Sequence, residues 1–105
     1  MAQRLSVAPA IHQVVCRVLA RHVERRVSEL HARHHLERDL DLTPLELVLI
    51  AQEVEDLEDV TLPPEALAEI ETVSDLLALA SQAATRARRV RRSIHRASQA
   101  ASRGA

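Results

Sequence analysis

The side chains best equipped for chemistry crowd into one stretch, His31-x-x-His34-His35, followed by Glu37 and Asp39. Two imidazoles four residues apart on a helix can aim at one ion, and Asp39 or Glu37 would complete a ligand set. Two or three histidines without a nearby cysteine pair are a weak zinc signal. The expectation is therefore a set of solvated loop histidines that tune local charge near neutral pH, with no metal. Cys16 is the single cysteine, so no intramolecular disulfide forms. It lies in the helical apolar run Val14 to Leu19, which predicts a half-buried structural thiol. The carboxylates are too many and too evenly spread to isolate one in an apolar pocket, as general acid catalysis favours. The only glycine is Gly104, which rules out a glycine-rich phosphate loop, and no Ser-His-Asp arrangement can be assembled. No enzymatic activity is expected.

The charges are segregated. Between Glu37 and Asp75 stand 13 acidic residues and one basic residue, Arg38. Between Ser81 and Ala105 stand seven arginines and no acid. The formal net charge of −1 thus conceals an acidic body joined to a basic tail, an asymmetry that points to interactions. There is no Phe, Tyr or Trp. The core must be built from Leu, Val, Ile and Ala, and stacking of nucleic-acid bases on aromatic rings is excluded. The 105 residues suffice for one domain. No apolar run is long enough to span a bilayer, and no secretory leader is visible at the N-terminus. A cytoplasmic protein is expected.

Prolines punctuate the helical pattern that must position these groups. Pro9 suits the first turn of a helix. From Ala10 the residues Ile11, Val14, Val15, Val18, Leu19 and His22 recur at helical spacing. Nothing in the sequence marks a stop before the run His31 to His35, which reads as that helix's end, although Val23, Val27 and Leu30 could instead anchor a long loop. Thr43-Pro44-Leu45-Glu46 is a capping box with proline at the first helical position. It opens a second helix to about Leu57 through Leu47, Ile50, Ala51, Val54 and Leu57. Pro63-Pro64 starts a short helix through Glu69. Thr72-Val73-Ser74-Asp75 is a second capping box, and the helix it starts buries Val73, Leu76, Leu77, Leu79 and Ala80. Ala83, Ala87, Val90 and Ile94 keep helical spacing into the arginine-rich tail. The expected division is residues 1–82 as a helical bundle and 83–105 as an Arg-rich helix or disordered tail.

Several of these pieces, in order and without a gap, resemble the acyl carrier protein family. Leu36-Glu37-Arg38-Asp39-Leu40 has the spacing of the family's aromatic-x-x-Asp-Leu segment. Asp39-Leu40-Asp41-Leu42-Thr43-Pro44-Leu45 follows the pattern Asp-Leu-Gly-x-Asp-Ser-Leu. The acidic helix with Glu53, Glu55 and Asp56 leads to Leu62-Pro63, and Ile70-Glu71-Thr72-Val73-Ser74-Asp75 matches Ile-x-Thr-Val-x-Asp. The resemblance covers about residues 10 to 80. It implies an all-α, four-helix bundle of three longer helices and a short third one, with a basic C-terminal extension. In the family, the serine of Asp-Ser-Leu carries 4′-phosphopantetheine. Here Pro44 stands at that position and has no hydroxyl. Thr43, the nearest one, is one residue early and is engaged as the helix cap. No prosthetic group is therefore expected.

The resemblance also implies a docking face on the second helix, with Leu45, Leu47, Leu49, Glu53, Glu55, Asp56, Glu58 and Asp59 as its residues. The stretch Leu45 to Ala51 is apolar apart from Glu46, which means deeper packing or a partner-covered patch. Three functions follow. One is a carrier-like module in fatty-acid, polyketide or related biosynthesis that docks enzymes or another pathway protein without being phosphopantetheinylated. Another is an adaptor whose basic tail (Arg86, Arg88, Arg89, Arg91, Arg92, Arg96) binds nucleic acid or anionic lipid. The last is a working carrier with a non-standard attachment residue.

Overall fold

A computed structural model describes residues 10–104, and Pro9 lies outside them. Helix α1 spans Ala10–His22, α2 Pro44–Glu58, α3 Pro64–Leu67 and α4 Val73–Gly104. The described residues form an all-α bundle with no strand. A 3-10 turn, Val27–Glu29, sits in the long connection between α1 and α2.

Helix α1 stops at His22, well short of the His31–His35 run that the sequence offered as its end. The stop is a Schellman motif. Glu24 takes the left-handed conformation, with φ 54°. The Arg25 N–H donates to Ala20 O at 3.0 Å and the Glu24 N–H to Arg21 O at 3.4 Å. Glycine usually fills that left-handed position, so a glutamate there left no signal in the sequence.

The connection that follows is pinned to the start of α4. His35 and Thr72 form an isolated antiparallel bridge. The Leu36 N–H donates to Glu71 O (2.8 Å), the Val73 N–H to His34 O (3.0 Å) and the Ser74 N–H to Ala32 O (2.7 Å). Leu36, Leu40 and Leu42 are buried and join the core. Val23 and Leu30 also pack on the core, whereas Val27 is exposed.

Both capping boxes form. At α2, the Glu46 N–H donates to Thr43 Oγ1 (3.1 Å) and the Thr43 N–H to Glu46 Oε1 (2.9 Å). At α4, the Asp75 N–H donates to Thr72 Oγ1 (3.1 Å) and the Thr72 N–H to Asp75 Oδ2 (3.1 Å). Each satisfies amides that the first helical turn leaves without partners.

The core joins Val15, Val18 and Leu19 of α1 to Ile50, Ala51 and Val54 of α2 and to Val73, Leu76, Ala80 and Ala83 of α4. Leu67 of α3 closes one end. Leu57, expected on the inner stripe of α2, is exposed. The buried stripe ends at Val54, and Val60 and Leu62 close the core beyond the helix instead. Helix α4 runs unbroken across residues 82 and 83, where Ala83 is still part of the core.

Candidate functional site

The head of α2 is the candidate site. Pro44 is the first residue of the helix and is exposed. Its ring suits that position because the missing N–H would have had no helical partner. The Thr43 hydroxyl beside it accepts the Glu46 N–H. The backbone N–H and the hydroxyl of Thr43 together hold the Glu46 carboxyl below the usual carboxylate range. Alongside lies a cleft of about 440 Å³, walled by Leu36, Leu42, Pro44, Leu47, Leu67 and Ile70, with His35, Glu37 and Thr43 also on its lining. Pro44 has no side-chain oxygen that could be esterified, and Thr43 Oγ1 accepts the Glu46 N–H.

The docking residues read from the sequence separate into two groups. Leu45 and Leu49 stand exposed on the outer face of α2, Leu45 at 68%. Asp56 and Asp59 are exposed further along, with Asp59 in a left-handed conformation at the C-cap. Leu47 is half-buried and packs on the core. Glu53 forms an ion pair with Arg21 and lies 3.3 Å from His22 Nε2, tying α2 to α1. Glu55 Oε2 accepts the Leu62 N–H at 2.7 Å and so anchors the chain after α2. Glu58 is half-buried.

Two further residues of α2 are apolar and exposed: Val48, absent from the expected docking face, and Leu57, expected on the inner stripe. A signal for Val48 was present: it lies three residues after Leu45, opposite the stripe of Ile50 and Val54, so Leu45, Val48, Leu49, Gln52 and Asp56 share one face.

The histidine cluster has a structural occupation. His34 Nδ1 accepts the His31 N–H and His35 Nδ1 the Arg38 N–H, both at 3.1 Å. The His35 N–H donates to Asp39 Oδ2 at 2.7 Å, which lowers the Asp39 pKa. Cys16 is half-buried, and burial raises its thiol pKa, the opposite of nucleophile activation. The arginines of the tail lie on the part of α4 that extends past the core: Arg86, Arg88, Arg89, Arg91, Arg92 and Arg96 are exposed.

A small helical bundle whose second helix presents a capped head, an apolar cleft and an exposed outer face has the architecture of a carrier module. The sequence comparisons agree. The model of the phosphopantetheine attachment site family matches residues 9–80. A probable acyl carrier protein of Caulobacter vibrioides (strain NA1000 / CB15N) is 40% identical over 70 residues, 67% of this chain and 81% of that protein. The chain belongs to the acyl carrier protein family. The arginine-rich part of α4 lies beyond the matched region.

Proposed function

We propose that this chain is a carrier-type module that acts by docking in fatty-acid, polyketide or related biosynthesis and carries no phosphopantetheine. It works as a binding partner of biosynthetic enzymes or of another pathway protein, in the cytoplasm, and not as a catalyst. The observation that carries the reading is Pro44 at the first position of α2, with the neighbouring Thr43 hydroxyl accepting the Glu46 N–H. Without a hydroxyl there, the helix head offers a fold-stabilising start and an apolar contact surface. The exposed Leu45, Val48 and Leu49 beside Asp56 suit a partner with an apolar patch rimmed by basic groups. Among the described residues, no helix is long and apolar enough to cross a membrane.

The test is intact mass after incubation with a phosphopantetheinyl transferase and coenzyme A. The expected result is an unchanged mass. A gain equal to one phosphopantetheinyl group would restore the working-carrier reading, with Thr43 as the first residue to map.

A further inference from the structure

The residues that seat α4 in the bundle follow a strict alternation of three and four: Val73, Leu76, Ala80, Ala83. All four are buried. The same alternation continues without a slip through Ala87, Val90, Ile94 and Ala97, the spacing of a helix seam that packs on another helix. Past Ala87 no residue of the seam packs on the core: Val90 and Ile94 stand 52% and 64% exposed, Val90 on a cleft it shares with Val60 and Thr61. The helix nonetheless remains continuous to Gly104. The seam therefore outruns the domain, with Arg86 and Arg91 on its flanks and Arg88, Arg89, Arg92 and Arg96 behind them.

The charges choose the occupant. A second α4 cannot serve, because the segment from Ser81 onward contains no acid and the seam would bring arginine against arginine. An anionic membrane would find only Val90 and Ile94 to bury, and nucleic acid would meet the body's dense negative charge. The outer face of α2 suits the seam better. It presents Leu45, Val48 and Leu49 in the open, followed by Gln52 and Asp56, while the Asp59 carboxylate at the C-cap already lies 3.9 Å from the chain's own Arg91. Its 15 residues make a helix of roughly 22 Å, and the extension from Arg88 to Gly104 makes one of roughly 25 Å. One pair of this kind already exists within the chain, where Arg91 Nη2 donates to Asp59 O at 3.3 Å. The straight run of α4 prevents the rest of the extension from folding back onto its own α2.

We propose that the arginine-rich extension of α4 docks on the outer face of α2 of a second copy of this chain. A two-fold axis would let each copy give one extension and receive one. The contact covers the face of α2 that would otherwise meet other partners, so self-association competes with docking. The proposal does not depend on whether the chain is modified.

Sedimentation velocity of the full chain, over a range of protein concentrations at low and high salt, tests it. A dimer is expected at low salt that weakens as salt rises. Val90→Ser with Ile94→Ser raises the dimer Kd about tenfold or more, equivalent to roughly 1.4 kcal/mol. Reversing the extension (Arg86→Glu, Arg89→Glu) gives a monomer, and so does reversing the α2 face (Gln52→Arg, Asp56→Arg). Mixing the two charge-reversed chains restores the dimer, because each extension then meets a face of opposite sign. Circular dichroism confirms that each variant is folded. A wild-type chain that stays monomeric at every concentration overturns the proposal. So does an α2-reversed chain that dimerises like wild type, a mixture of folded variants that stays monomeric, or a monomer whose extension binds duplex DNA or anionic vesicles instead.

Discussion

The two halves of α4 share one spacing and differ in what covers it. From Val73 to Ala83 the three-four seam lies against α1 and the core, and Leu76 is fully buried. From Val90 onward the same seam faces solvent, between arginines. The inner half is preceded by a capping box and by the bridge from His35 to Thr72, which hold the helix start in place. Among the described residues, the polar tie of the outer half to the body is Arg91 to Asp59. Periodicity thus announces that a helix face can be covered. Which surface covers it depends on charge and on where the rest of the chain ends.

The largest effect should separate the halves most sharply. Leu76→Ala removes a fully buried side chain and should destabilise the fold by about 2–5 kcal/mol in urea denaturation. Ile94→Ala, measured at high salt where the chain is monomeric, should cost less than about 0.5 kcal/mol. Equal costs would mean that the extension is packed on its own bundle.

Next come the helix starts. Thr72→Ala, and likewise Thr43→Ala, should each cost about 1 kcal/mol, because each removes the acceptor of a first-turn amide. A negligible loss at Thr43 would show that the Thr43 hydroxyl is dispensable as a cap and free for other work. At the end of α1, Glu24→Gly should stabilise by about 1 kcal/mol, since glycine removes the penalty of a left-handed residue.

The smallest effect is in pH. The Glu71 and Thr72 backbone N–H groups hold the Asp75 carboxyl below its ordinary range, so its folded pKa is the lower one. Its contribution is present at neutral pH and fades as pH falls through the ordinary carboxyl range near 4 and below. Glu46 and Asp39 behave with the same sign. Asp75→Asn should flatten the acid limb of the urea midpoint against pH, and an unchanged limb would show that the cap does not persist in solution.

Much of this architecture was legible where local chemistry repeats a known device. Thr43-Pro44-Leu45-Glu46 and Thr72-Val73-Ser74-Asp75 specify two helix starts, and both form the bonds their residue types require. The end of α1 was illegible because its left-handed turn uses Glu24, and a chain whose only glycine is Gly104 takes such turns without the usual marker. On α2, spacing alone could not tell Leu57 from Val54. Their difference arises where Val60 and Leu62 return to close the core, a tertiary event. Glu55 was expected on the docking face, yet its carboxylate anchors the Leu62 amide, seven residues away.

The most direct test of the account lies at Pro44. The native chain and a Thr43→Asp, Pro44→Ser variant, which rebuilds the family's Asp-Ser-Leu triplet and keeps a good helix cap, are incubated side by side with a phosphopantetheinyl transferase and coenzyme A and weighed intact. The native chain should keep its mass, and the variant should gain one phosphopantetheinyl group. An added group on the native chain would contradict this expectation.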